Sequence, residues 1–381
     1  MPDVSTRREL LTVLGTGTAT VLAGCSGGDS SSDATSTDQP AATGTETPSD
    51  TGGTTTAEPG QDSADSPSLT DGSIAERSLP AFAGIIPDVD PLVVGGWNTG
   101  GRGVRVTDYP DTPSDTLRFN AMVGRIPSTA MGAYLLTSQE GAFVSQLWTA
   151  QLEAGNEPDW ATVVAGVGAM YGSGIEVQTT RETLSATESE YERIADDQNR
   201  LVVRGPEGDV VGVTPEVFAF VPASQRTFAF SPVDRLRALL ETALGNRQSL
   251  PERDQSLRRA LVHTPSAGIL HVAHSRDGPL GDVLTSLRET DTPGFSVAGY
   301  ATGYTTARTA VSHIDIGGED QPSPATGTIV YDDSASIDGE TLTANVGNHG
   351  AGREYVQDGT MVQATCEYAR DDLSVFLGSG Q

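Results

Sequence analysis

The chain has 381 residues, with 51 acidic against 23 basic side chains for a net charge of −28, and each of those basic residues is arginine. A chain this acidic lacks the basic stripe that nucleic-acid phosphates require, so nucleic acid is excluded as a partner. Its only two cysteines, Cys25 and Cys366, exclude a disulfide-rich scaffold.

The N-terminus reads Thr6-Arg7-Arg8-Glu9-Leu10-Leu11, continues through a Gly- and Thr-diluted apolar run, and reaches Leu22-Ala23-Gly24-Cys25. From Leu10 to Ala23 the run is too short to cross a membrane, which takes about 20 residues. Gly15, Gly17 and the intervening threonines also make it a poor helix former. Basic residues, a short apolar stretch and small residues before a cysteine describe a signal peptide over residues 1–24.

Arg7, Arg8, Leu10 and Leu11 resemble a twin-arginine export signal, and Leu22, Ala23, Gly24 and Cys25 resemble the lipobox of exported lipoproteins. The resemblance implies export of the folded chain by the twin-arginine translocase and cleavage before Cys25. It also implies a lipid on the Cys25 thiol, which would hold the protein on the extracytoplasmic face of the cell membrane. Together with the absence of lysine and the acid excess, these motifs resemble the exported lipoproteins of extremely halophilic archaea. Carboxylates keep such a surface hydrated in concentrated salt, whereas at 0.01 M the Debye length grows to roughly 30 Å and they repel one another. The melting temperature is therefore expected to fall on dilution into low salt, and an unchanged value would refute this reading.

Residues 25–72 are rich in Ser, Thr, Gly, Pro and acid, with nine Asp or Glu and no arginine. Such a stretch buries too little apolar surface to offset its ordering entropy and is expected to be a disordered stalk. Residues 73–381 hold the remaining charge of −19 and form the folded ectodomain, with a possible division near 230 into two similar halves.

Within the ectodomain, residues 93–97 and 103–108 read as strands of a hairpin about a glycine-rich loop, Gly95 to Gly103. A phosphate-binding loop is disfavoured there because a strand pattern, not a helix, follows it. Residues 117–126 and 133–137 read as strands. A helix follows from the cap Ser138 to Gly155, with Phe143, Val144, Leu147, Trp148 and Leu152 at helical spacing, and a second helix is expected over 159–171. Residues 201–213 form two β-branched runs about Gly-Pro-Glu-Gly, a hairpin, with strands at 217–221 and 227–230 behind it.

The next segment opens with Ser231-Pro232, carries Leu236, Leu239, Leu240 and Leu244 on one face, and stops at Gly245, which marks a helix. A helix over 252–262, a strand at 267–274, a helix over 280–289 and strands at 295–300, 306–316 and 326–331 complete the middle. A helical stretch from Ser334 and a hairpin across Asp358-Gly359 close the chain. Turns join strands more often than helices do, so the fold class is α+β with largely antiparallel sheets and packed helices.

His263, His271 and His274 are the main candidates for chemistry. On a strand, residues 271 and 274 point to opposite faces, which disfavours a shared metal; on a helix they would meet a cation with Asp277. His313 and Asp315 share a strand face, while Ser312 points the other way. His349 lies between glycines in a loop, and Cys366 reads as a half-buried strand residue. The acid pairs Asp196-Asp197, Asp332-Asp333 and Asp371-Asp372 read as solvated surface. No catalytic residue set, metal site or cofactor is assigned.

The expectation from these readings is a lipid-anchored envelope protein of a halophile. Its ectodomain would bind an unidentified extracytoplasmic protein or solute without enzymatic activity. The alternatives are an exported hydrolase or metal-dependent enzyme, using His313 and Asp315 or His271 and His274, and a solute-binding lipoprotein of a transporter.

Overall fold

A computed structural model describes residues 67–98, 115–121, 142–187, 190–223, 232–282, 303–317, 321–369 and 372–373. The export signal, the lipobox with Cys25 and most of the stalk lie outside these residues. So do the predicted strands at 103–108, 133–137, 227–230 and 295–300, and the second half of the helix predicted over 280–289.

The elements in chain order are β1 (Leu69–Asp71), β2 (Leu92–Asn98), α1 (Ala142–Glu153), β3 (Trp160–Val164), β4 (Val167–Tyr171), α2 (Val177–Ala186), β5 (Glu192–Asp197), β6 (Arg200–Arg204), β7 (Val210–Thr214) and β8 (Val217–Val221). They continue with α3 (Pro232–Ala243), α4 (Leu250–Arg253), α5 (Gln255–Val262), β9 (Ile269–His274), β10 (Thr309–Ile314), β11 (Ser323–Val330), α6 (Gly339–Asn345), β12 (Ala351–Asp358) and β13 (Met361–Tyr368). All 13 strands join one sheet in the order β1-β12-β13-β11-β10-β9-β2-β3-β4-β8-β7-β6-β5. Every pairing is antiparallel except β1 with β12.

Apart from β1, which pairs with β12 at the far edge, the two halves of the chain occupy the two halves of this sheet and meet at the antiparallel pair β2 and β9. Outward from that seam run β2-β3-β4-β8-β7 on one side and β9-β10-β11-β13-β12 on the other. In both, the second and third strands form a hairpin, a helix follows (α2 or α6), and a second hairpin returns its last strand to the third. The similarity of the halves is thus topological, with β5 and β6 added to the first.

Both sheet faces are covered, and β3, β7, β8, β9 and β10 are buried along their full length. That is why the sequences of β3, β7 and β8 are nearly continuous apolar runs, whereas β9 and β10 bury histidine, serine and threonine among apolar residues. The front face packs Ala273, Ala310 and Ile314 with Phe143, Leu147 and Trp148 of α1, Leu184 of α2, Leu117 and Phe119 of the helical residues 116–121, and Leu342 of α6. The back face packs Val94, Leu270, Val272 and Val311 with Phe82 and Ile85 of a 3-10 turn, Leu236, Leu239 and Leu240 of α3, and Leu257 and Leu261 of α5. Burying each such leucine contributes about 2 kcal/mol. Gly212 on β7 lets α3 approach, because a Cβ there would lie 2.4 Å from Leu240 Cδ1.

Several expectations are corrected. Residues 159–171 form the β3–β4 hairpin, not a helix, turning through Ala165 (φ 50°) and Gly166 (φ 83°). Residues 116–121 are helical where a strand was expected, because the Asp115 side chain accepts the Arg118 N–H and caps the turn. β2 is flanked by β3 and β9. The helix expected over 252–262 divides at Asp254, whose side chain accepts from Leu257 N and starts α5. The folded part begins before residue 73, since Leu69–Asp71 pairs with Tyr355–Gln357. Residues 172–200, unassigned from the sequence, supply α2 and β5.

Candidate functional site

β9 and β10 carry His271, His274 and His313 into the middle of the sheet, at 3%, 1% and 2% exposure. Strand alternation and the register put His271 and Ser312 on the front face, and His274 and His313 on the back. The helical alternative, with His271, His274 and Asp277 around a cation, is therefore corrected: the segment is a strand, and Asp277 lies exposed beyond its end. Ser312 and His313 point apart, and Asp315 is exposed past the end of β10. Among the described residues, no group of three or more His, Cys, Asp or Glu side chains is placed to hold a metal ion.

His274 Nδ1 lies 2.8 Å from the Thr309 hydroxyl, and its Nε2 lies 3.3 Å from Asp254 Oδ2. The hydrogen bond with His274 holds the Asp254 carboxyl down to about 2, against the opposing effect of burial and with help from Leu257 N–H. The order carboxylate, imidazole, hydroxyl matches a nucleophile triad, yet Thr309 is fully buried and His274 nearly so. No substrate reaches that hydroxyl. The arrangement instead ties the start of α5 to the central strands.

His313 Nε2 donates to the Ala267 carbonyl, and burial pushes its pKa down to about 4. Burial does the same to His271, also to about 4. His263 caps the end of α5, with Nδ1 donating to the Ala75 carbonyl at 3.0 Å, while its own carbonyl accepts from Gln363.

A second polar centre, missed in the sequence, surrounds Asp115, which is 1% exposed. Its Oδ1 accepts from Gly347 N at 2.9 Å and Arg118 N at 3.3 Å; its Oδ2 accepts from His349 N at 3.1 Å and the Tyr368 hydroxyl at 2.9 Å. His349 sits in a turn, as its flanking glycines imply, and is half exposed. Cys366 lies beneath the same turn: a Cβ on Gly350 would meet its sulfur at 2.6 Å. At 4% exposure it is fully buried, not half-buried, and burial raises its thiol to about 12. A thiol held protonated in this way is no nucleophile. The only local signal for this centre is an Asp at a helix start; its other three partners, Gly347, His349 and Tyr368, lie more than 200 residues away.

Asp196, Asp197, Asp332 and Asp333 are exposed, as solvated surface is, and make surface contacts there; Asp371 lies outside the described residues. Asp196 pairs with Arg181 and Arg193, Asp197 with Arg200, Asp332 with Arg308, and Asp333 caps a 3-10 turn through Ser336 N. An open groove between α2 and β5 is lined by Gln178, Arg181, Glu182, Ser185, Ala186 and Arg193, and both of its arginines pair with Asp196. No helix of the described residues is long and apolar enough to cross a membrane.

No protein-family model matches the chain, and no curated protein matches it. It has distant structural similarity to TP0453. Crystal forms III and IV of that protein superimpose with TM-scores of 0.35 and 0.34 at 9% and 10% sequence identity, each over 77% of this chain and 94% of the other.

Proposed function

We propose that the chain is a lipid-anchored protein of a halophile's cell envelope, exported by the twin-arginine translocase, whose ectodomain acts as a non-enzymatic binding or interaction module. The observation that carries this reading is the ordered succession of Arg7-Arg8, a short diluted apolar run and the lipobox ending in Cys25. The interior supports it: the histidines of the central strands are buried, which leaves the outer surface for recognition. A single continuous sheet also differs from the two lobes that close around a solute in transporter-linked binding proteins.

The test is expression of the full chain and of Cys25→Ala in a halophilic host. The expected result is a wild-type protein in the membrane fraction whose N-terminal peptide begins at a lipid-modified Cys25. The variant is expected in the medium or unprocessed. Retention of Met1 and a cytoplasmic location for both would overturn the reading.

A further inference from the structure

A sheet leaves unpaired main-chain groups along its two outer edges, and these groups accept another strand unless something blunts them. Among the described strands, β5 forms one edge, and β12 with the short β1 forms the other. β5 is blunted twice: its register shifts between Arg193 and Ala195, and it carries the charges of Glu192, Arg193, Asp196 and Asp197. The first half of β12 is treated alike, with a register shift between Ala351 and Glu354, Gly352 at φ 59°, and the charged Arg353 and Glu354. Tyr355-Val356-Gln357 carries neither bulge nor charge, and β1 lies on these residues. β1 is half-buried at Leu69 and exposed at Thr70 and Asp71. The Thr70 hydroxyl donates to the Tyr355 carbonyl at 3.0 Å, and Gly72 N to the Gln357 carbonyl at 2.9 Å. After the exposed Gly72 and Ser73 the chain is pinned again: Ile74 is buried, the Ala75 carbonyl accepts from His263, and Arg77 N donates to the Val262 carbonyl. β1 can thus lift about Gly72 and Ser73 while the rest of the fold stays in place.

We infer that β1 is a removable guard and that the β12 edge beneath it is an interface for a second copy of the chain. That edge is self-complementary. The carbonyls of Tyr355 and Gln357 point outward, so strand alternation turns the main-chain groups of Val356 toward β13. Two such edges, laid antiparallel across a two-fold axis through Val356, set Tyr355 of one copy opposite Gln357 of the other, and the two exchange main-chain hydrogen bonds. The Val356 side chains meet on the axis. Glu354 then faces Asp358 of the other copy, a like-charge pair that molar salt screens. A second copy is in this way the partner of the proposed interaction module. The stalk joins the fold at β1, so a pull along it lifts this strand first. That trigger rests on the proposed anchor, whereas the guarded edge rests on the sheet alone.

The test uses full-length Cys25→Ala protein, which cannot be lipidated, so failure here removes the guarded edge and leaves the anchor reading untouched. Sedimentation velocity is measured in 2 M KCl, with folding verified by circular dichroism. This parent protein is expected to be a monomer. Adding Thr70→Pro, which takes a main-chain donor and the hydroxyl out of β1, should yield a dimer. Adding Gln357→Pro as well removes the outward N–H of β12 and should restore the monomer. Should either variant misfold, amide hydrogen exchange of the parent decides. The Gln357 amide, which faces β1, is expected to exchange roughly 100-fold faster than the Val356 amide, which faces β13. A dimer in the parent, a folded Thr70→Pro protein that stays monomeric, a dimer that survives Gln357→Pro, or equal exchange of the two amides each overturns the inference.

Discussion

Urea unfolding in 2 M KCl is expected to show stability falling steeply between pH 6.5 and pH 4. His271 and His313 are buried on opposite faces of adjacent central strands, and burial lowers both to about 4 in the folded protein. In the unfolded chain each titrates near 6.5. The unfolded state therefore binds more protons than the native state inside this window, so lowering the pH favours unfolding. Above about 6.5 the full stability is present; below about 4 both states are protonated and the loss is complete. A shift of that size is worth about 3 kcal/mol for each histidine. Two such losses are comparable with the 5–15 kcal/mol that typically holds a domain together.

Asp254 acts in the same direction but lower on the scale. Its contribution is intact above about 4 and is lost as pH falls toward 2, and its partial exposure limits it to about 1 kcal/mol. The histidines thus set the transition. His313→Gln, which keeps a donor for the Ala267 carbonyl, should flatten the pH dependence by about one proton, or about 1.4 kcal/mol per pH unit. Molar salt screens the surface carboxylates, so the slope reports the buried groups. Stability that stays flat from pH 7.5 to 4.5 would show that the two imidazoles are hydrated or able to open to solvent.

What the sequence reveals about this fold depends on whether a local signal competes with a stronger one. The Gly-Pro-Glu-Gly turn between β6 and β7 and the Asp358-Gly359 turn between β12 and β13 are unambiguous because turn chemistry interrupts β-branched runs. The Pro232 start and Gly245 stop of α3 are equally plain. The β3–β4 hairpin is hidden because Trp160, Val163, Val164 and Val167 fall at helical spacing. In a strand buried on both faces apolar residues need not alternate, so period two is lost and period 3.6 is mimicked by chance. Residues 116–121 fail in the opposite way: Leu117, Phe119 and Ala121 alternate like a strand, but the Asp115 cap outweighs the pattern.

The polar centres follow the same logic at longer range. That His271 and His274 point apart follows from strand alternation alone. That His274 meets Asp254 and Thr309 does not, because the first contact depends on where α5 packs on the sheet and the second on the β9–β10 register. The similarity of the halves is likewise invisible in residue identity. It resides in strand order, which many different apolar sequences satisfy.

Replacing Asp115 by alanine is expected to cost about 3 to 5 kcal/mol, among the largest losses for any polar side chain here. One carboxylate accepts four hydrogen bonds, from residues in three separate parts of the chain: the helical turn at 116–121, the turn after α6, and the end of β13. Removing it leaves the Gly347 and His349 amides and the Tyr368 hydroxyl without an acceptor in a buried site, and each such donor costs about 1–3 kcal/mol. Asp115→Asn should cost less, about 2 kcal/mol, because one oxygen survives while the new amide opposes the Tyr368 hydroxyl or the His349 N–H. Cys366 supplies an independent readout. Its sulfur is shielded by Gly347 and Gly350, the turn that Asp115 holds down, and burial keeps the thiol protonated. In Asp115→Ala the thiol should react with a disulfide reagent at least ten-fold faster under native conditions, ahead of global unfolding. A destabilised variant with an unchanged thiol rate would place the lost contacts elsewhere. An unchanged stability would mean that solvent replaces the carboxylate at no cost and that the turn is held by its packing on Tyr355 and Leu117 alone.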